Sequence, residues 1–264
     1  MERLAPPELE NARDRFAEVF GTEKPIIAML HVWDEAPERQ IDNTLRDLET
    51  LHPLVDGLLV ENYGWGYANN NRATQRAIDT IRLVSRRVVD NADIPVGVNL
   101  LPNDYEASLY AAQETGARFI QMDHLVGDYT HCDSVDPQNL LIARLRHPEV
   151  VILGGIHPKY YELKEPEPKI TDSARVASER GDGIVVTGAA TGSETDFEEL
   201  EEVRAVLNKT PLVIGSGLNV DNASKQLAIA DGAIVGSAFK LLGVRPGEPV
   251  NRDLAERLVA ATRS

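Results

Sequence analysis

The chain alternates between short, continuous apolar runs and longer segments in which apolar residues recur every three or four positions. The runs are 26–31 (IIAMLH), 56–62 (DGLLVEN), 95–101 (PVGVNLL), 118–124 (RFIQMDH), 150–157 (VVILGGIH), 183–188 (GIVVTG), 211–217 (PLVIGSG) and 231–237 (DGAIVGS). Continuous Val- and Ile-rich runs of this length suit strands buried on both faces, as in a parallel sheet covered by helices. Segments such as DFEELEEVRAVLNK and NVDNASKQLAIA carry helical spacing instead. Capping residues open several of them: Asn103-Asp104, Thr195-Asp196 and Asp221-Asn222. No linker or low-complexity tract interrupts the alternation, and HPKYYELKEPEPK at 157–169 reads as a loop between a strand and a helix. Eight strands alternating with helices predict a single α/β domain over 1–264, a (β/α)8 TIM barrel. Residues 1–22 then form an extra N-terminal helical extension, covering the N-terminal end of the barrel.

Such a barrel places its chemistry where the strands end, and a phosphate often sits on the loops after strands seven and eight. Gly215-Ser216-Gly217 and Gly236-Ser237 fall at those two places. Glycine lets backbone N–H groups approach an anion, serine adds a hydroxyl, and the following helix start adds a favourable dipole. A single Gly-Ser reads as a tight turn; two at consecutive strand ends favour a phosphate site. The other strand ends are polar: His31, Glu61-Asn62, Asn99 with Asp104 following, Asp123-His124, His157 with Lys159 beyond, and Thr187-Gly188. Any one of these can be a rim hydrogen bonder. A ring of them implies mutual pairing, a cation or a polar ligand. Glu61 and Asp123 are the acid–base candidates, because neighbouring carboxyls shift each other's pKa values apart. His31 and His157 follow as imidazoles, and Lys159 as a clamp for phosphate or carboxylate, or a Schiff-base lysine. Asn62, Asn99, Asp104, His124, Thr187 and Gly188 join the two Gly-Ser turns as substrate-binding candidates. Mg2+ or Mn2+ is the cofactor that a mouth rich in oxygen ligands would suit.

Other features have plainer readings. His52 and His147 precede prolines at helix ends, where histidine meets the helix dipole. His131 and Cys132 match no zinc spacing and read as part of a solvated loop. Tyr63, Trp65 and Tyr67 gather aromatics after strand two, either to close over a ring or sugar face or to pack against a partner subunit.

Composition narrows the function. Asp plus Glu is 42 against 27 Lys plus Arg, a formal charge of −15, and only seven of the cations are lysines. That surface repels nucleic acid and anionic membranes at long range. With one cysteine, no apolar h-region and no apolar run near the ~18 residues of a membrane span, the expectation is a soluble, cytoplasmic protein. The expected partner is a phosphorylated small molecule, with a homo-oligomer compatible with the same sequence.

KPIIAMLH, DGLLVENYG, PVGVNLLPND and GARFIQMDHLVGDY, followed by GIVVTGAATGSETDFEELEEVR and PLVIGSGLNVDNASKQLAIADGAIVGSAFK, resemble the BtpA family and its sugar-operon relatives of the SgcQ type. The resemblance spans roughly 24–262, and VTGAATGSETD is its most specific piece. It implies a TIM barrel of the ribulose-phosphate-binding type, and it carries over to His31, Glu61, Asn62, Asn99, Asp104, His157, Lys159, Thr187 and the Gly-Ser turns. The chain departs from the family pattern at HVWDEAPER, IQMDH and GGIHPK, so Asp123 and His124 stand outside the carry-over. A member of the family is associated with photosystem I biogenesis in cyanobacteria, while relatives lie in many non-photosynthetic organisms, some beside sugar-transport genes, so the resemblance implies no general assembly role. The resemblance therefore leaves two functions open. One is an enzyme on a phosphorylated sugar or nucleoside-like molecule (a lyase, isomerase or glycosidic-bond-cleaving enzyme), and the other is a non-catalytic assembly factor.

Overall fold

A computed structural model describes residues 11–65, 67–69, 72–130, 132–164 and 166–263. Its eight barrel strands are Ile26–His31, Gly57–Glu61, Val96–Asn99, Phe119–Met122, Val151–Gly155, Gly183–Val186, Leu212–Ile214 and Gly232–Val235. We number them one to eight. Each lies inside the apolar run that predicts it, and the first three end on the polar residues His31, Glu61 and Asn99. All neighbours are parallel, and strand one pairs with both strand two and strand eight, closing the barrel. A two-stranded ribbon, Tyr67–Asn69 with Arg72–Ala73, follows strand two.

The period of two along each strand divides the core into two layers. Ile26, Ala28, Leu30, Leu58, Val60, Val98 and Ile120 face outward and pack under the helices. Ile27, Met29, Leu59, Phe119, Leu153, Val185, Val213 and Ile234 face inward and fill the barrel. Nine-residue helix α1 (Ala12–Phe20) supplies the plug that the sequence predicts: Phe16 and Phe20 join the inner layer, with ring centroids 5.1 Å apart between Phe20 and Phe119. Charge fastens the plug as well. Arg15 of α1 donates to the Val150 carbonyl at 2.8 Å and lies 3.2 Å from Asp182 Oδ1, just before strand six. Arg144 meets the same oxygen at 2.6 Å, and the Ile152 N–H donates to the other at 2.8 Å.

Helix starts follow the predicted caps in two of three cases. Asp104 caps α4 (Tyr105–Thr115, with α2 at Pro37–Leu51 and α3 at Gln75–Val89 before it) by accepting from the Ala107 N–H. Asp196 accepts from the Glu199 N–H at the start of the helix Phe197–Val206. Asn222 stands at the third start without a side-chain cap bond, because its Oδ1 accepts from the Asn219 N–H in the preceding turn.

Candidate active site

Continuing each inward row by two residues leads out of the apolar layer into the C-terminal mouth. Ile27 and Met29 lead to His31, Leu59 to Glu61, Phe119 to Gln121, Val185 to Thr187, Val213 to Gly215 and Ile234 to Gly236. Pairing sets His31 against Glu61 and Glu61 against Asn99, so three adjacent strands present polar side chains at one level. Above them opens a cavity of about 620 Å3, lined by His31, Glu61, Gln121, Asp123, Lys159 and the Gly-Ser turns, with Tyr63, Tyr129, Tyr160 and Tyr161 around its rim.

At its centre are two carboxyls. Glu61 is only 7 % exposed, and Asn99 donates to its Oε2 at 2.7 Å. Burial, then the like charge of Asp123, pushes Glu61 up to about 8, with Lys159 and Asn99 acting the other way. Burial likewise pushes Asp123 up to about 6, opposed by Tyr161, Asn99 and Lys159. Such groups titrate as a pair. The pair is doubly protonated below about 6, doubly ionised above about 8, and shares one proton between. Lys159 is half-buried, and desolvation lowers its pKa while Glu61 and Asp123 pull it back up. Burial holds His31 down at about 3, with Lys240 and Lys159 adding to the effect, so its imidazole is neutral at physiological pH.

These shifts act on stability. The folded state holds the pair's protons more tightly than the unfolded chain, where carboxyls ionise near 4. Stability contributed by the pair is therefore full below that range and is lost as pH rises through about 6 and then about 8. While one extra proton is bound in the folded state, the slope is about 1.4 kcal/mol per pH unit. Urea unfolding across pH 5 to 9 should show this decline, and Glu61→Gln should flatten it. An equal slope in the variant would place the shifted proton elsewhere.

The opposite arc of the mouth is built from small residues. Thr187 and Ser216 hydroxyls lie 3.0 Å apart, and the Gly188 N–H donates to Ser216 Oγ at 3.3 Å. Gly217 has φ of +80°, and a Cβ there would fall 1.9 Å from the Ser193 carbonyl oxygen, so no other residue fits this turn. At Gly236 a Cβ would lie 2.8 Å from His31 Cε1; this glycine lets the imidazole reach the mouth. Ser237 opens a single 3-10 turn, Ser237–Phe239.

Several predicted residues lie elsewhere. Asn62 is fully buried and pairs with the backbone of Leu101, accepting from its N–H at 2.7 Å and donating to its carbonyl at 3.2 Å. Asp104, besides capping α4, accepts from Arg72 at 2.9 Å and from the Ala73 N–H at 3.1 Å, which anchors the ribbon. His157 turns out of the mouth, its Nε2 2.9 Å from Ser173 Oγ on the helix Ile170–Ser178. Gly188 packs against the Ser193 and Glu194 backbone, beside a second cavity that includes His157 and Lys159. His124 is wholly buried behind the rim, against the rings of Tyr129 and Tyr161, and burial lowers its pKa to about 4.

Cys132 corrects the expectation of a solvated loop. It is buried, lines the cavity, and sits 3.5 Å from His124 Nε2. The cause is tertiary: the loops after strands four and five pair through Tyr129 with Leu163, covering this residue. Its neighbour His131 lies outside the described residues, as does the side chain of Tyr67. Trp65 is buried and donates to the Val32 carbonyl at 2.7 Å, so it belongs to the core rather than to a closing loop. Tyr63 does reach the cavity, edge-on to His31 at 5.1 Å. Among the described residues no three His, Cys, Asp or Glu side chains converge, and the cation facing the carboxyl pair is the Lys159 ammonium.

Gln121 and Tyr161 went unnoticed in the sequence. Gln121 had a usable signal, since it is the inward residue of RFIQMDH two places after Phe119. Tyr161 had none, because its loop carries no strand period.

A closed parallel barrel with a polar, carboxyl-bearing C-terminal mouth defines a protein of the (β/α)8 class. The sequence profile of the BtpA family matches residues 22–264, and the chain belongs to that family. It is 29 % identical over 241 residues to the photosystem I biogenesis protein BtpA of Synechocystis, covering 86 % of this chain and 84 % of that one. It is 28 % identical over 246 residues to the putative sgc region protein SgcQ of Escherichia coli, covering 86 % and 90 %. Among solved structures, tryptophan synthase from M. tuberculosis superposes with a TM-score of 0.64 at 18 % identity, covering 98 % of this chain and 100 % of that one. N-(5'-phosphoribosyl)anthranilate isomerase from Pyrococcus furiosus superposes at 0.57 and 17 %, covering 91 % and 98 %. At these identities the structural likeness is one of fold. No helix among the described residues is long and apolar enough to cross a membrane.

Proposed function

We propose that the protein is an enzyme acting on a phosphorylated sugar or nucleoside-like molecule in the barrel mouth. The observation that carries this reading is the carboxyl pair formed by buried Glu61 and half-buried Asp123, beside a cavity that admits a small molecule. Burying two like charges is costly, and nothing in packing calls for it. Between about pH 6 and 8 the pair offers one acid and one base, the pairing needed to move a proton in both directions during an isomerisation, elimination or glycosidic cleavage. His31 Nδ1, Asn99 Oδ1 and Gln121 Oε1 are buried without hydrogen-bond partners among the described residues, which suits a ligand rich in hydroxyls. The phosphate would lie across the mouth, on backbone amides of Gly215, Ser216, Gly217, Gly236 and Ser237. The structurally similar phosphoribosylanthranilate isomerase is named for a substrate of this phosphorylated class.

The test is a screen of sugar phosphates and nucleotides for turnover, with products followed by NMR. A crystal grown in phosphate or sulfate should hold the anion at the two Gly-Ser turns. Anions found only elsewhere after repeated soaks would remove the phosphate assignment.

The name of the Synechocystis relative supports a second reading, a non-catalytic assembly factor. A net charge of −15 predicts negligible retention on DNA or anionic vesicles at physiological salt. Tight, salt-sensitive retention on such vesicles, with no turnover in the screen, would favour the assembly role.

A further inference from the structure

The fold leaves one amide in the wall of the mouth without a hydrogen bond. Gln121 is half-buried on strand four and lines the cavity. Its strand neighbours belong to the apolar inner layer: Phe119 two places before it, and Leu153 in register on strand five. Neither end of the amide is paired. Oε1 is shielded from solvent and unbonded, and Nε2 donates to no group among the described residues. The amides on the neighbouring strands are used by the fold instead. Asn62 exchanges two bonds with the Leu101 backbone, and Asn99 donates to Glu61. An amide shielded from water without a partner costs stability that an apolar side chain of the same length would not.

We propose that Gln121 determines which sugar the mouth accepts, its amide held unpaired so that a hydroxyl of the bound sugar can pair with it; this rests on the phosphorylated-sugar function above. The groups around it select hydroxyls. By turning over, the amide can present either an N–H or an oxygen to the mouth. His31 likewise makes no hydrogen bond among the described residues, and its neutral imidazole offers one donor and one acceptor. The carboxyl pair, while it holds one proton, can also do both. A hydroxyl donates and accepts, so it matches each of them. A phosphate only accepts, and its charge would be set against Glu61 and Asp123. Met29, Val185 and Ile234 also line the cavity and suit the C–H edge of a sugar. The sugar therefore lies with its hydroxyls toward strands one to four and its phosphate toward the Gly-Ser turns of strands seven and eight.

A first test needs no ligand. Gln121→Met and Gln121→Leu each remove the amide and keep a side chain of similar bulk. In at least one of them the urea midpoint at pH 7 should equal or exceed that of the wild type. A fall in both would mean that the fold itself uses the amide, and would overturn the proposal. A second test titrates a panel of five- and six-carbon aldose and ketose phosphates, their monodeoxy analogues and inorganic phosphate by calorimetry. The wild type should bind the tightest sugar phosphate at least ~10-fold more strongly than one of its deoxy analogues, the scale of one net hydrogen bond. Gln121→Met should lose about that factor on the parent sugar, and nothing on that analogue or on inorganic phosphate. A merely structural role would weaken all three together. Equal loss on all three, or loss on none, overturns the role of Gln121 and leaves the enzyme function standing. A wild type that binds no sugar phosphate more tightly than inorganic phosphate would sink the phosphorylated-sugar function itself, and the role of Gln121 with it.

Discussion

Under the proposed function, Glu61→Gln and Asp123→Asn should each lower turnover of a phosphorylated substrate by ~10²–10⁴-fold, the range for loss of one general acid or base, with the fold intact. Gln and Asn keep the shape of the side chain and remove its capacity to exchange protons. Removing a charge that is costly to bury should leave each variant at least as stable as the parent at alkaline pH. The parent's rate should be bell-shaped in pH, with limbs near about 6 and about 8, because the pair must hold one proton. Turnover of the Glu61→Gln protein at the parental rate would reduce Glu61 to a rim hydrogen bonder. His157→Ala serves as a comparison. Its imidazole bonds Ser173 outside the mouth, so this change should cost far less activity.

Asp182→Ala should destabilise the protein by ~3–5 kcal/mol, the cost of leaving buried charge without its partner. Asp182 is fully buried and receives Arg144 at 2.6 Å, the Ile152 N–H at 2.8 Å and the ion-pair contact of Arg15 at 3.2 Å. Its loss would leave two nearly buried guanidinium groups and an unsatisfied amide below the barrel. Burial already lowers the pKa of Arg144 against the pull of Asp182, so that charge is held at a cost even in the parent. The urea midpoint measures the effect, and a loss below about 1 kcal/mol would mean that water replaces the carboxylate. Since Arg15 belongs to α1, the same change should expose Phe16 and Phe20 to early proteolysis in α1.

The eight strands were legible because a parallel barrel buries both faces of each strand, which leaves an unbroken apolar run. Their ends were legible too, since polarity returns where the inward row meets the mouth. Side-chain roles past the strand ends were harder to read. Asn62 and Asp104 are as polar as Glu61, yet the first is spent on the Leu101 backbone and the second on a helix cap and Arg72. His157 follows strand five as Glu61 ends strand two, but its backbone takes φ of +45°, and the side chain leaves the mouth. Cys132 and Tyr161 come from loops with no period, and only the pairing of those loops brings them to the cavity wall.

The sequence by itself determined the alternation of strands and helices, the inward rows leading to His31, Glu61 and Asn99, and the small residues that end strands seven and eight. Those are properties of local period and residue size, which neighbouring positions are enough to express. Tertiary structure alone decided which polar groups share the mouth, that Lys159 faces both carboxyls, and that Tyr161 bridges Asp123 to Pro102. Burial and hydrogen-bond direction set the charge of each group, and both depend on residues distant in the chain that meet only when the barrel closes.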